Sequence, residues 1–125
     1  MWTYDHTNKA ANSLARYLVS TGVKHGDRVV LFMENRPSFL ISLLALNKIG
    51  AIAVLINTSL TGDPLIHCIN SSDAVKCIVG AERAKPLEDV LNQINMTKQE
   101  DFLWAEDTDQ YSLPDWAIDL KAQFQ

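Results

Sequence analysis

Apolar residues recur at helical spacing near the start of the chain. They alternate with polar positions that fall on the opposite face, which predicts an amphipathic helix. Gly22 follows the last apolar position and is expected to end this helix in a left-handed conformation, while Thr3 is its predicted N-cap. The residues predicted to face the core are Ala11, Leu14, Ala15, Leu18 and Val19.

The next block of sequence has the pattern of a strand, a helix and a second strand. Residues 28–33 contain the uninterrupted apolar run VVLF, which is typical of a strand covered on both faces. Pro37 fits only the first turn of a helix because it lacks an N–H, and Gly50 is expected to end that helix. The run at residues 51–56 predicts another buried strand.

The alternation of helix and strand continues along the chain. Pro64 opens a shorter helix that residues 71–73 stop, and residues 75–79 predict a third strand. A helix over residues 82–95, with Leu87, Val90, Leu91 and Ile94 facing inward, leads to a last strand at residues 102–105. Because successive parallel strands need crossover connections, this order predicts an α/β fold: an open, mostly parallel, doubly wound, flavodoxin-like sheet with helices on both faces.

The composition changes after Glu106. The remaining sequence is acidic, contains Pro114 and shows no buried-strand pattern. We therefore interpret residues 1–106 as one α/β subdomain, and residues 107–125 as a linker followed by the start of a further segment, predicted to be an unfinished helix.

Charge and composition exclude several functional classes. The chain has 125 residues and a formal net charge of -4, and its basic residues are scattered, which argues against a nucleic-acid partner. The first residues lack the pattern of a secretory signal. The apolar stretch at residues 39–56 is interrupted by Asn47, Lys48 and Gly50, so a helix, a turn and a strand explain it better than a membrane span.

The two cysteines indicate a reducing compartment, and their spacing does not indicate a reactive or metal-binding site. Cys68 and Cys77 do not have a CxxC spacing, and both lie in apolar periodic segments. We expect them to be reduced, structural thiols in a cytoplasmic protein, because disulfides belong to oxidising compartments.

Polar residues follow two of the predicted strands. Asn57, Thr58 and Ser59 come after the second strand, at the end where open α/β sheets bind ligands. They either line a ligand channel or stabilise the turn, with Asn57 fixing the backbone and Thr58 or Ser59 capping. Residues 34–36 follow the first strand but contain no glycine, and Glu34 has the wrong charge for a phosphate. Asn35 is the predicted helix cap and Arg36 a surface charge.

The histidines have no partners that would give them a chemical role. His67 lies beside Cys68, but zinc needs about four converging ligands and the sequence offers no second pair at a usable spacing. His6 and His25 are isolated from any serine or cysteine nucleophile motif, so neither is predicted to be a catalytic base. The sequence therefore predicts no catalytic residue and no metal site in this chain.

Several segments, in the correct order, resemble the N-terminal part of adenylate-forming acyl-CoA synthetases. The resemblance is continuous over residues 2–83, extends more loosely to Glu106, and points to the branch of fatty acid transport proteins and very-long-chain fatty acyl-CoA ligases. The segments that carry it are WTYDHTNKAANSLARYL, GVKHGDRVVLFMENRPSFL, LNKIGAIAVLINTSLTGDPLIHCINSS and KCIVGAE.

The resemblance implies a longer enzyme that activates a long-chain fatty acid with ATP and Mg2+ to an acyl-adenylate and then transfers the acyl group to CoA. The family's phosphate loop, adenine and ribose motifs and catalytic lysine do not occur here, so this chain is expected to be structural, inactive alone and without tight cofactor binding. Asn57, Thr58 and Ser59 are implied to lie near the channel for the pantetheine arm of CoA.

Two further expectations concern the partners. The longer enzyme is expected to bind fatty acid and CoA and to associate peripherally with membranes, and this chain alone is expected to self-associate through exposed apolar surface. The alternative is a free-standing flavodoxin-like binding or interaction module without catalysis, because a fold alone does not fix a function.

Overall fold

The computed structural model describes residues 4–34, 37–96, 100–106 and 111–120. The predicted caps Thr3 and Asn35 and the predicted surface charge Arg36 lie outside the described residues.

Helices and strands alternate along the described chain, as the sequence predicts. Short 3-10 turns, Ala81–Arg83 and Leu91–Gln93, flank the fourth helix. The helices are α1 (Tyr4–Ser20), α2 (Pro37–Ile49), α3 (Gly62–Ser71) and α4 (Ala84–Asp89), and the strands are β1 (Arg28–Phe32), β2 (Ile52–Leu55), β3 (Lys76–Gly80), β4 (Phe102–Ala105) and β5 (Ile118–Asp119).

The described strands form one five-stranded sheet in the order β2-β1-β3-β4-β5, and every neighbouring pair is parallel. This confirms the predicted parallel, doubly wound architecture. Because β2 and β3 lie on opposite sides of β1, the strand order reverses there, and open α/β sheets have their ligand crevice at this position, between the carboxyl ends of β1 and β3.

Helices cover both faces of the sheet. Along β1, Val29 and Leu31 pack in the cluster with α1 and α2, whereas Val30 and Phe32 pack in the cluster with α3 and α4. All four side chains are at most 1% exposed. An uninterrupted apolar run in β1 is therefore the consequence of a strand with two buried faces, as predicted.

Glycines end the first two helices in the same way. Gly22 has a φ of 103°; its N–H donates to the Val19 carbonyl oxygen at 3.0 Å, and the Val23 N–H donates to the Leu18 carbonyl oxygen at 3.1 Å. Gly50, with a φ of 74°, ends α2 with the equivalent pair of bonds. This is the Schellman arrangement, which satisfies the last carbonyls of a helix and favours glycine.

One strand and one helix position that the sequence predicts to be buried are at least partly exposed. β2 is an edge strand, with Ile52 46% and Leu55 60% exposed, and Val19 of α1 is 54% exposed. The strand itself is found where it is predicted, but its predicted burial is wrong, because an apolar run does not distinguish a central strand from an edge strand. The apolar stretch at residues 39–56 nevertheless divides into α2, a turn and β2, and no described helix is long and apolar enough to cross a bilayer.

The single helix predicted over residues 82–95 is divided into a short α-helix and two 3-10 turns. Pro86 has no N–H to donate to the Glu82 carbonyl, which favours an α-helix that begins only at Ala84, with Pro86 in its first turn. Arg83 and Val90, which bound α4, have non-helical backbone angles. The predicted inward positions are confirmed, since Leu87, Val90, Leu91 and Ile94 are all buried.

The helix predicted after Glu106 is wrong for residues 111–120, which contain β5 instead. The sheet therefore extends past the predicted boundary at residue 106. Trp116 is 4% exposed and meets Phe102 edge to face, with 5.5 Å between ring centroids. Its Nε1–H also donates to Glu88 Oε1 at 2.9 Å. A strand of two residues is too short to show any periodicity, and its position depends on these tertiary contacts.

Both cysteines are free, in agreement with the prediction of reduced thiols. Cys77 lies inside β3, where burial raises the pKa of its thiol to about 12. A raised folded-state pKa favours the neutral thiol, so this contribution to stability is present below the ordinary pKa of 9.0 and is lost as the pH rises towards 12. Cys77 is therefore a structural apolar residue at neutral pH.

Candidate functional site at the carboxyl edge of the sheet

The carboxyl ends of the parallel strands bring several polar loops to one edge of the sheet. The predicted site residues Asn57, Thr58 and Ser59 follow β2, while Glu34 follows β1. The structure adds a third loop after β3, which carries Glu82 and Arg83. Open α/β sheets bind ligands at this edge, so these loops form the candidate functional site.

The turn after β2 is held together by its own side chains. Asn57 Oδ1 accepts hydrogen bonds from the Ser59 N–H at 3.0 Å and from the Ser59 hydroxyl at 2.7 Å, which is the geometry of an Asx turn. Asn57 therefore fixes the backbone, as one of the two sequence interpretations states. The residue at the N-cap position of α3 is Thr61, which makes no side-chain cap bond, so neither Thr58 nor Ser59 caps that helix.

Charged side chains close the crevice between β1 and β3. The Glu34 N–H donates to Glu82 Oε2 at 2.8 Å, and Arg83 Nη2 donates to Glu34 Oε2 at 2.7 Å. These two contacts join loops that are nearly 50 residues apart in sequence. The sequence analysis does not pair these residues; the charged Glu82-Arg83 dipeptide just after a strand and a glycine is the signal that could have identified them.

Gly80 allows the loops after β1 and β3 to approach each other closely. A Cβ atom at position 80 would lie 2.6 Å from the Cβ of Met33 and would also overlap the Glu82 carboxylate. The backbone angles of Gly80 are ordinary extended values, with φ -72° and ψ 144°. The glycine is therefore needed for close approach between the ends of β1 and β3 rather than for an unusual backbone conformation.

Carboxylates predominate among the described charged side chains at this edge. Glu34 and Glu82 both present carboxylates in the crevice, and the guanidinium of Arg83 is already paired with Glu34. A third carboxylate, Glu106, is 5% exposed at the end of β4, and its Oε2 accepts from the Tyr111 N–H at 2.8 Å. Counting only the residues that the structure describes, a polyanion placed here would meet more negative than positive charge.

The three histidines do not converge on this edge. His67 is exposed on α3, His6 is exposed in the first turns of α1, and the ring of His25 lies against Gly50. Within the described part of the chain, no group of three or more His, Cys, Asp or Glu residues is arranged to hold a metal ion.

Comparison with models of known protein families identifies the family to which this chain belongs. The family model described as AMP-binding enzyme matches residues 1–122, which is nearly the whole chain. The chain belongs to the AMP-binding enzyme family. The resemblance to adenylate-forming enzymes found in the sequence is thereby confirmed.

Relatives of this AMP-binding chain are much longer proteins. Long-chain fatty acid transport protein 6 of Mus musculus is 33% identical over 92 residues, which cover 73% of this chain and 15% of the relative. The 2-succinylbenzoate–CoA ligase of a Geobacillus strain is 35% identical over 96 residues, covering 77% of this chain and 20% of that protein. The AMP-binding chain thus spans a fifth or less of each of these relatives.

Solved structures agree with this assignment. The anthranilate CoA ligase AuaEII, solved in complex with anthranoyl-AMP, superposes with a TM-score of 0.82 over 98% of the AMP-binding chain and 22% of its own. At 22% identity this likeness shows the fold alone. A fatty acyl CoA synthetase of Mycobacterium tuberculosis superposes with a TM-score of 0.70 at 28% identity, over 85% of this chain and 21% of its own.

Proposed function

We propose that this chain is the first α/β block of an ATP-dependent fatty acyl-CoA ligase. The observation that carries the proposal is the AMP-binding family match over residues 1–122, together with relatives that are long-chain fatty acid transport proteins and CoA ligases. In the reaction, ATP activates the carboxylate of a long-chain fatty acid to an acyl-adenylate, pyrophosphate leaves, and the CoA thiol then takes the acyl group. Mg2+ accompanies the nucleotide.

The contribution of this block is structural. Its sequence has no glycine-rich phosphate loop, and the crevice between β1 and β3 is closed by the Glu34–Arg83 pair. Residues elsewhere in a longer polypeptide would bind ATP and Mg2+ and carry out the chemistry. The block alone is therefore expected to catalyse no ATP–pyrophosphate exchange, whereas the longer enzyme is expected to exchange in the presence of long-chain fatty acids.

The turn at residues 57–59 is proposed to line the channel for the pantetheine arm of CoA. Its position supports this role, because it lies at the carboxyl end of the edge strand β2 and Asn57 and Ser59 are exposed. The Asx turn fixes the backbone of the loop and leaves the half-buried Thr58 side chain out of its internal hydrogen bonds.

Large side chains in this turn are expected to obstruct CoA. In the full-length enzyme, replacing Thr58 and Ser59 by tryptophan should lower the rate of thioester formation by about tenfold or more, while ATP–pyrophosphate exchange changes by less than about twofold. The two half-reactions are measured separately with the same fatty acid. Ser71→Trp, at the exposed end of α3 near the opposite edge, is the matched control and should affect neither step. Equal losses in both half-reactions would contradict the channel assignment.

Self-association of the isolated chain is proposed to occur through β2. This edge strand exposes Ile52 and Leu55 and carries no charged residue or proline that would discourage strand pairing. Sedimentation velocity of the 125-residue chain should show concentration-dependent association that Leu55→Lys abolishes and Leu113→Lys, at another exposed leucine, does not. A wild-type monomer at every concentration would refute this proposal.

We also propose a cytoplasmic location with peripheral membrane association for the longer enzyme. The free thiols of Cys68 and Cys77 support a reducing compartment. Cell fractionation of the tagged full-length protein, with and without a high-salt wash of the membranes, tests both parts.

A further inference from the structure

An open groove lies between α1 and the end of α2, on the face of the sheet away from α3 and α4. Its volume is about 440 Å3, and its apolar lining includes Ala15, Val19 and Ile49. Val19 is 54% exposed although it continues the apolar stripe of α1. We call this feature the α1–α2 groove.

The charges around the α1–α2 groove have one sign. Arg16 and Lys48 line it, and none of its lining residues within the described part of the chain is a carboxylate. Neither cation has an ion pair among the described residues; the side chain of Arg16 donates only to the Ser13 hydroxyl, at 3.2 Å. α1 and α2 together contain Lys9, Arg16 and Lys48 but only one acidic residue, Asp5, in a chain whose net charge is -4.

Interactions within the chain account for only one of these two cations. Lys48 lies in the last turn of α2, where a positive charge complements the helix dipole. Arg16 lies one turn before the end of α1, close in sequence to the exposed Val19, and outside the last turn, where the dipole of α1 would favour a positive charge. A groove lined by apolar side chains together with two cations that form no ion pair among the described residues instead matches a partner that combines an apolar face with carboxylates.

We propose that the α1–α2 groove binds an amphipathic helix of a partner protein, with apolar side chains entering the groove and carboxylates pairing with Arg16 and Lys48. The α1 residues of the groove, from Asn12 to Ser20, extend about 12 Å at a rise of about 1.5 Å per residue, which equals roughly two helical turns. Apolar side chains spaced i, i+4 and i+7 on the partner, which span about two turns, therefore match its length, as in other helix-in-groove complexes. This surface is separate from the carboxyl edge and does not depend on the proposed ligase function.

The test uses the 125-residue chain labelled with 15N and a defined probe. The probe is an 18-residue helical peptide with leucines along one face and glutamates on both margins; a control peptide has lysines in place of the glutamates. Amide shifts are expected to change in residues 12–20 and 46–50, and the glutamate peptide should bind about tenfold or more tightly than the lysine peptide. Arg16→Glu with Lys48→Glu should reverse this preference, while Lys85→Glu, at an exposed position of α4, should leave it unchanged.

Several outcomes would overturn the proposal. These are no shift changes at millimolar peptide, changes outside the α1–α2 groove, or equal binding of the two peptides. Shifts in the groove that depend on protein concentration without peptide would assign it to a second copy of the chain. Saturable shifts with decanoate at the affinity of the peptide would assign it to an anionic amphiphile instead.

Discussion

Replacing Trp116 by alanine is expected to lower the free energy of unfolding by about 3–5 kcal/mol, which is the usual cost of removing a buried aromatic side chain. Trp116 is 4% exposed, meets Phe102 edge to face and donates its indole N–H to Glu88. The substitution therefore removes packing at the centre of the contact between the C-terminal segment and the sheet. Urea denaturation followed by circular dichroism measures the change as a lower midpoint at an unchanged m-value.

Two further variants make this result interpretable. Trp116→Phe keeps one aromatic ring and loses the hydrogen bond to Glu88, so it should cost less than the alanine variant and remain folded. Tyr111→Ala, at a side chain 48% exposed in the same segment, should change stability by no more than about 0.5 kcal/mol. If Trp116→Ala were as neutral as Tyr111→Ala, the segment would behave as the linker that its sequence suggests.

The elements with strong local signals are those that the sequence predicts well. β1 has an apolar run long enough to require two covered faces, and β4 is found at residues 102–105, where it is predicted. Gly22 and Gly50 end their helices because both need positive φ angles. These features depend on residues close together in the chain, so sequence pattern is sufficient to find them.

The errors concern features that depend on distant contacts. β2 has the composition of a central strand, and only the strand order shows that it lies at the edge. β5 consists of Ile118 and Asp119 and has no pattern of its own; it is placed by pairing with β4. The helix predicted over residues 82–95 is the exception, since Pro86, which cannot donate a helical hydrogen bond, is a local signal that the α-helix begins later, at Ala84.

The candidate site also contains one feature with a local sequence signal and one that depends on distant contacts. The turn at residues 57–59 is found from sequence because it follows an apolar run with three polar residues. The contacts of Glu34 with Glu82 and Arg83 join two separate strand ends, and no spacing in the sequence indicates them. Pairing across the crevice follows only from the order of strands, which places β3 beside β1.

Gly80→Ala is expected to destabilise the chain by about 2–3 kcal/mol, within the usual range for overpacking a closely packed site. A glycine in a strand ordinarily costs about 0.5–1 kcal/mol relative to alanine, so the usual expectation has the opposite sign. The reversal follows from the 2.6 Å between the new Cβ and the Cβ of Met33. Both Cβ atoms are bonded directly to the backbone, one in β3 and the other in the residue that follows β1, so side-chain rotation cannot separate them. Urea denaturation measures the change.

A double variant distinguishes the two groups that approach Gly80. Glu82→Ala removes the acceptor of the Glu34 N–H and should cost about 1 kcal/mol by itself. It cannot relieve the overlap with Met33, so Gly80→Ala combined with Glu82→Ala should remain at least as unstable as Gly80→Ala alone. If the double variant recovered wild-type stability, the Glu82 carboxylate rather than the spacing of β1 and β3 would require the glycine. A Gly80→Ala variant more stable than wild type would show that the strand ends can separate freely, and the crevice would then be open to a ligand.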